Sequence, residues 1–266
     1  MKILFKDRMQ RQMFYLISFL LCSFLIVLGI ALIYTPPLEG QLTLAESIKK
    51  EAPAFADILS IKHGLTPTDH FLAMCCGLIL PLFSFFYILY AVNRLQAGII
   101  LKKEYFFFIQ TPKKQSDIVF ANFLAVAAGL LLQIVFILAA LLASSLIWDY
   151  WTVSFVSVLY VLFAMFSVHI FSLGWLLLGA ALSKTGKLSS WFPFLNILWF
   201  IIPRISELSE KIKSIKYLSP FFASDIWKAS NNFAAVFVLL AAGLVFTLIA
   251  ALYFNKREFI KKENQP

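Results

Sequence analysis

The chain has 266 residues, of which 61% are hydrophobic and 14% are charged, with a mean hydropathy of +0.85. A soluble protein of this length carries about 25% charged residues, and its core could not hide 29 phenylalanines. Several apolar runs exceed the roughly 18 residues needed to cross a bilayer, and they are continuously apolar, which excludes alternating β-barrel strands. The composition predicts an all-α, polytopic membrane protein.

The net charge of +9 is divided unevenly between two sets of segments. One set holds 15 Lys and Arg against 5 Asp and Glu, and comprises residues 1–12, 94–117, 183–189 and 255–266. The other set holds 8 against 9, and comprises residues 35–70, 148–151 and 204–232. The positive-inside rule places the first set, with both chain ends, in the cytoplasm. The basic charge therefore needs no nucleic-acid partner.

Residues 1–12 mix apolar with basic side chains, which favours a short N-terminal helix in the cytoplasmic membrane interface. A basic terminus that only sets orientation fits equally well. The run at residues 13–34 is too long for a signal peptide, and no small-residue cleavage site follows it, so we expect it to remain as a membrane span. Six spans in a single transmembrane domain, residues 1–266, are predicted at residues 13–34, 71–93, 118–147, 152–182, 188–203 and 233–254.

Prolines and lengths distinguish these spans. Pro81 should kink the second span because it removes a helical hydrogen bond. The third and fourth spans are long enough to tilt or project from the membrane, and a four-residue link makes them an antiparallel hairpin. The fifth span is short and ends at Pro203; the argument for it is that two cytoplasmic ends require an even number of spans. Short external helices are predicted before the sixth span.

The cytoplasmic stretch between the second and third spans combines five basic residues with an aromatic block. The block comprises Tyr105, Phe106, Phe107 and Phe108, and Pro112 ends any helix that carries it. Such a segment is suited to contact a protein partner as well as lipid headgroups. The alternative is that the phenylalanines rest in the membrane interface.

Few polar residues lie within the predicted spans. The candidates to line a transport pathway are Asn122, Gln133, Ser167 and His169. His169 is a functional hypothesis by default, because it is titratable and deep in a span. The simpler interpretation is a neutral imidazole bonded to a neighbouring helix, since no carboxylate lies near mid-membrane to complete a proton relay.

The chain lacks the patterns of several other functions. No tight His, Cys and Asp spacing indicates a metal site, and residues 183–189, SKTGKLS, lack the first glycine of a phosphate-binding loop. An intramembrane enzyme would need an aspartate pair, an HExxH helix or a Ser/His pair within the spans. A solitary secondary transporter would need buried carboxylates and a repeat between halves. An intramembrane enzyme and a solitary secondary transporter are kept as alternative functions.

Two stretches carry a resemblance to a known family. Residues 104–122, EYFFFIQTPKKQSDIVFAN, are similar to a coupling segment in which an apolar helix ends at a proline before a polar or basic pair and the third span. Residues 217–222, YLSPFF, are similar to a Leu-Ser/Asn-Pro-Phe element between spans five and six. With its six-span layout, the chain resembles the permease subunits of type-2 ATP-binding-cassette exporters.

The resemblance implies two permease subunits, identical or paralogous, in a cell membrane, most simply the bacterial plasma membrane. They would pass a hydrophobic or amphipathic substrate such as a peptide, toxin, drug or lipid. This chain would not be an enzyme and would hold no cofactor, because ATP and Mg would be bound by a separate cytoplasmic ATPase. The residues implied in ATPase coupling, through a coupling helix between spans two and three, are Glu104, Tyr105, Phe107, Phe108, Pro112, Lys113 and Lys114.

Overall fold

The computed structural model describes residues 2–33, 50–51, 71–97, 115–147, 155–183, 188–206, 210–221 and 233–255. These residues are almost entirely helical, and no strand occurs among them. Five of the helices are long and apolar enough to cross a membrane. The predicted all-α, multi-pass class is therefore confirmed at this level for the described residues.

The α-helices, in chain order, are α1 (Lys2–Ile33), α2 (Leu80–Val92), α3 (Gln115–Ile147), α4 (Phe155–Leu182), α5 (Trp191–Ile205) and α6 (Phe233–Asn255). Stretches of π-helix flank α2 at Ala73–Ile79 and Asn93–Ala97, and a 3-10 helix, Glu210–Leu218, follows α5. The predicted third, fourth and sixth spans agree with α3, α4 and α6 to within three residues at each end. α5 has 15 residues, so it is about 22 Å long, shorter than the roughly 30 Å hydrocarbon core.

The start of α1 corrects one prediction. α1 runs without interruption from Lys2 to Ile33, so a separate interfacial helix over residues 1–12 is not formed. No proline or glycine precedes Gly29 in this stretch, so nothing breaks the helix at residue 13. The helix is also packed at the boundary of the two predicted segments, because Gln12 is fully buried and its Nε2 donates to the Ala125 carbonyl of α3 at 2.9 Å.

α1 and α3 run in the same direction side by side. Gln12 lies beside Ala125 at the start of the pair, and further along both helices Gln133 Nε2 donates to Ser23 Oγ at 3.0 Å. The residue numbers of the paired positions rise together along α1 and α3, so the two helices are parallel. These helices are therefore neighbours in space although α2 lies between them in sequence.

α2 and its flanking π-helical stretches run antiparallel to α1. The Tyr15 and Tyr90 ring centroids are 4.3 Å apart, and those of Phe19 and Phe83 are 5.3 Å apart. Later residues of α1 thus meet earlier residues of α2. The C-terminal end of α2 consequently lies beside the first half of α1.

α4 and α6 form a second parallel pair. The Tyr160 and Phe233 ring centroids lie 4.8 Å apart near the start of both helices, and those of Trp175 and Phe246 lie 5.5 Å apart further along. The C-terminal end of α4 therefore lies at the opposite end of the pair from the start of α6. Residues 183–232 must return the chain from one end to the other.

α5 supplies part of this return and runs antiparallel to α4. Trp175 Nε1 donates to the Phe192 carbonyl at 3.0 Å near the start of α5, and the Trp199 ring lies 6.0 Å from that of Phe171, which is earlier in α4. Beyond the 3-10 helix the chain folds back onto the same place, because the Phe221 ring is 5.2 Å from Phe171. This returning segment, residues 219–221, packs with α5 against the middle of α4.

Candidate functional site

The residues predicted to couple to an ATPase lie outside the described residues: Glu104, Tyr105, Phe107, Phe108, Pro112, Lys113 and Lys114. The last described turn before them is anchored by Arg94. Its guanidinium lies 4.9 Å from the centroid of the Tyr15 ring, and Nη1 donates a hydrogen bond to the Tyr90 hydroxyl. Such a cation–π contact contributes about 0.5–1 kcal/mol at an exposed site and joins the end of α2 to α1.

The four residues predicted to line a pathway are not brought together. Gln133 joins three helices, since its Nε2 donates to Ser23 Oγ of α1 at 3.0 Å and to Ser84 Oγ near the start of α2 at 2.8 Å. Both serines also donate within their own helices, Ser23 to a carbonyl at 2.8 Å and Ser84 to one at 2.7 Å. This buried triad is an interhelical connection.

Two more of these residues, Asn122 and Ser167, make hydrogen bonds away from Gln133. Asn122 is 1% exposed, and its Nδ2 donates to Gln96 Oε1 at 2.7 Å, which joins α3 to the turn after α2. Ser167 Oγ donates to the Phe163 carbonyl of its own helix at 3.0 Å. Neither side chain contributes to the surroundings of His169, the fourth predicted residue.

His169 lines a small cavity between α2, α4, α5 and the returning segment. It is 1% exposed, and neither ring nitrogen has a hydrogen-bond partner in the described part of the chain. Asn196 of α5 lines the same cavity, is 3% exposed, and has an Oδ1 that is likewise unpaired among the described residues. Ser172 lies three residues after His169 and completes the polar part of the lining.

The remaining walls of the cavity are apolar and include Pro81, Phe85, Phe200 and Phe221. The space open to water centres is about 10 Å³, close to what one water molecule requires. No carboxylate is among the described lining residues, and the described chain has no group of three His, Cys, Asp or Glu that could hold a metal. The arrangement can hold a small uncharged group that both donates and accepts hydrogen bonds.

A backbone carbonyl of α5 that lacks its usual helical donor holds the returning segment beside this cavity. Pro203 has no N–H to donate to Trp199, four residues earlier in α5. Ser219 Oγ donates to that Trp199 carbonyl instead, and the same Oγ accepts the Phe221 backbone N–H at 3.1 Å. Ser219 thus supplies the hydrogen bond that Pro203 cannot make within α5, and it positions Phe221 against the cavity.

A second backbone carbonyl without its helical donor, that of Gly77, joins α5 to the π-helical stretch before α2. The π-helical stretch Ala73–Ile79 precedes Pro81, which cannot donate to the carbonyl of Gly77. Arg204 Nη2 donates to this carbonyl at 3.1 Å. A π-helical stretch therefore precedes Pro81, and the Gly77 carbonyl is satisfied from α5.

Compared with protein-family models, with characterised proteins and with solved structures, the chain matches none of them.

Asn196 and Arg204 were not singled out from the sequence, and Ser219 was noted only as part of the stretch at residues 217–222. A proline within a helix signals that the carbonyl four residues earlier needs another donor, so Pro81 and Pro203 predict that such donors exist. Which side chains supply them depends on how α5 and the returning segment pack, and a single sequence does not carry that information.

Proposed function

We propose that this chain is the membrane-spanning permease subunit of a type-2 ATP-binding-cassette exporter, with ATP hydrolysed by a separate cytoplasmic subunit. Its cargo is hydrophobic or amphipathic: a peptide, toxin, drug or lipid-like molecule. Two permease subunits, either two copies of this chain or a copy and a paralogue, form the pathway in a bacterial plasma membrane. The chain itself has no enzymatic activity and holds no cofactor.

One observation carries the proposal. The stretch that resembles the family element between spans five and six is residues 217–222, and its described part, residues 217–221, follows α5 and reaches α4 at Phe171. Ser219 donates to the Trp199 carbonyl, and Phe221 is 6% exposed against Phe171. Ser219 therefore serves in hydrogen bonding and Phe221 in apolar packing. A specific sequence element requires such distinct roles at its polar and apolar positions.

The directions of the helices support six spans with both chain ends on one side. α1 and α3 are parallel, α2 opposes α1, and α4 is parallel to α6. Leu72 shares an apolar cluster with Leu162, and Leu95 shares another with Leu177, so the α2 region and α4 also run in one direction. With α5 and its return counted as the fifth span, the N-terminal end of α1 and the C-terminal end of α6 lie on the same side.

The nature of the cavity supports an uncharged or amphipathic cargo. Apolar side chains, aliphatic and aromatic, form most of the wall around the three polar side chains. An ion would need compensating charge at this depth, because an unpaired charge in the membrane interior is costly.

The decisive experiment is detergent co-purification of the tagged chain from its native cells, with retained proteins identified by mass. The proposal expects a stoichiometric ATPase of roughly 25–35 kDa, the size of a one-domain nucleotide-binding subunit. Recovery of this chain alone, without ATPase activity in several mild detergents, would contradict it.

A matched pair of variants tests the coupling segment. Phe107→Asp places a charge on the aromatic block and should remove the ATPase from the purified complex while the protein still inserts, because apolar anchors dominate interface energies. Phe107→Leu keeps the apolar contact and should retain the ATPase. Equal recovery of the ATPase with both variants would reject docking through this block.

The six-span topology is tested by cysteine labelling from each side of the membrane. Cys22, Cys75 and Cys76 are replaced by alanine, and single cysteines are introduced at Asp149 or Thr185. An impermeant thiol reagent added outside should label the first position and not the second. Labelling of both positions from the same side would contradict a crossing by α4.

A further inference from the structure

We propose that His169, Ser172 and Asn196 form a binding site for one hydroxyl group, supplied by a water molecule in the resting protein and by the polar end of the cargo during transport. The second source rests on the proposed function. The first source rests on the geometry of the cavity alone.

The site is built from groups that are buried and lack partners. His169 and Asn196 are 1% and 3% exposed, and they come from α4 and α5. Three of their polar atoms, both imidazole nitrogens and Asn196 Oδ1, have no hydrogen-bond partner within the described chain. Buried polar atoms are rarely left without a hydrogen-bond partner in folded proteins. Three such atoms around one cavity point to a ligand within it.

The donor and acceptor pattern selects the class of ligand. A neutral imidazole offers one N–H donor and one acceptor nitrogen, and Asn196 Oδ1 offers a second acceptor. The complementary ligand donates two hydrogen bonds and accepts one. Water does this, and an alcohol reproduces one donor and the acceptor. A carboxylate or phosphate does not fit, because it only accepts.

The size and location of the cavity limit the ligand further. Its space for water centres, about 10 Å³, corresponds to about one water molecule. Phe85 and Phe200 line the cavity next to the polar groups, so a hydroxyl joined to an apolar chain would have apolar surface beside it. The walls also include Pro81, which follows the π-helical stretch before α2, and Phe221, which is held by Ser219.

Solid-state NMR of the full chain in lipid vesicles tests the site. The chain has three histidines, so His63→Gln and His70→Gln leave His169 as the one imidazole, which is labelled with ¹⁵N. We expect magnetisation to pass from water to this ring. Asn196→Leu, which removes one of the 2–4 partners a buried water needs, should lower the transfer at least about threefold.

Ser167→Ala is the matched control on the same helix, because the Ser167 hydroxyl bonds its own helix at 3.0 Å and not the cavity. It should leave the transfer unchanged. If Asn196→Leu does not insert, Ser172→Ala serves as the second cavity variant. A ring without water contact in the unsubstituted chain, or an equal loss in the Ser167→Ala control, would overturn the site.

The two sources of the hydroxyl are separated by adding 1-decanol or decane to the vesicles. Decanol should displace the water signal at His169 and decane should not, because only the alcohol carries the hydroxyl. An unchanged signal with decanol would reject the cargo as a source and leave water as the ligand. No ATPase is present in these vesicles, so the result is independent of the co-purification that tests the proposed function.

Discussion

The two parallel helix pairs are joined by different means. α1 and α3 are connected by side-chain hydrogen bonds, from Gln12 to Ala125 and from Gln133 to Ser23. α4 and α6 instead meet backbone to backbone at Gly174 and Gly243, where a Cβ added to Gly174 would lie 2.1 Å from the Gly243 carbonyl oxygen.

The difference shows two solutions to the same physical problem. Lipid tails are as apolar as leucine, so burial of apolar surface does not drive helices together within a bilayer. Close packing of small residues and interhelical hydrogen bonds do so instead. The α1–α3 pair leaves room for side chains between its helices, whereas the α4–α6 pair has none at its glycines. We therefore expect the second pair to move as one unit.

The largest loss of stability should come from adding a side chain at the contact between Gly174 and Gly243. Gly243→Leu places a side chain where even a Cβ would lie 2.5 Å from the Ile170 carbonyl oxygen. Because that neighbour is backbone and cannot rotate away, α4 and α6 must separate. We expect a loss of more than about 3 kcal/mol of stability, the upper end of overpacking costs. Thermal unfolding in detergent measures it.

The control is Gly29→Ala in α1, where an added Cβ would meet nothing within 4 Å. Alanine favours a helix over glycine by about 1 kcal/mol, so this variant should unfold at the same temperature or higher. A Gly243→Leu protein as stable as Gly29→Ala would show that the close approach of α4 and α6 is not required.

The next largest loss of stability should come from breaking the hydrogen bond between Arg204 and Gly77, which connects α5 to the π-helical stretch before α2. Arg204→Ala removes the donor to the Gly77 carbonyl, a bond with a charged donor that is expected to contribute about 1.5–3 kcal/mol. In a Pro81→Ala background the helix regains its own N–H, so the same Arg204 substitution should cost less. The cycle is measured by unfolding of the four proteins. Equal costs in both backgrounds would mean that the carbonyl is not the reason for the effect.

The same logic predicts a smaller effect within the α4–α6 half. Ser219→Ala removes a neutral donor to the Trp199 carbonyl, which should cost about 1 kcal/mol. Pro203→Ala restores the helical N–H and should reduce this cost. Protease sensitivity of the returning segment reports the loss, since Ser219 Oγ also accepts the Phe221 N–H. Unchanged sensitivity in Ser219→Ala would contradict its anchoring role.

The sequence was sufficient for features that depend on composition and insufficient for those that depend on packing. Apolar runs located α3, α4 and α6 because membrane helices need continuous apolar residues. The interfacial composition of residues 2–12 predicts a separate helix, whereas the structure has one helix from Lys2 to Ile33 that bonds to α3 at Gln12. The proximity of His169 and Asn196 depends on the placement of α5, which periodicity in one sequence does not specify.

The smallest effect should come from the triad that joins α1, α2 and α3. Gln133→Leu removes the side chain that bonds to both Ser23 and Ser84, yet the two serines keep the bonds to their own helices. No buried group is left unsatisfied, so the cost should be near the average interhelical hydrogen bond in membranes, roughly 0.6 kcal/mol. A loss as large as that of Gly243→Leu, measured by the same unfolding, would show that hydrogen bonds and not close packing hold the stronger pair, and would reverse the contrast between the two halves.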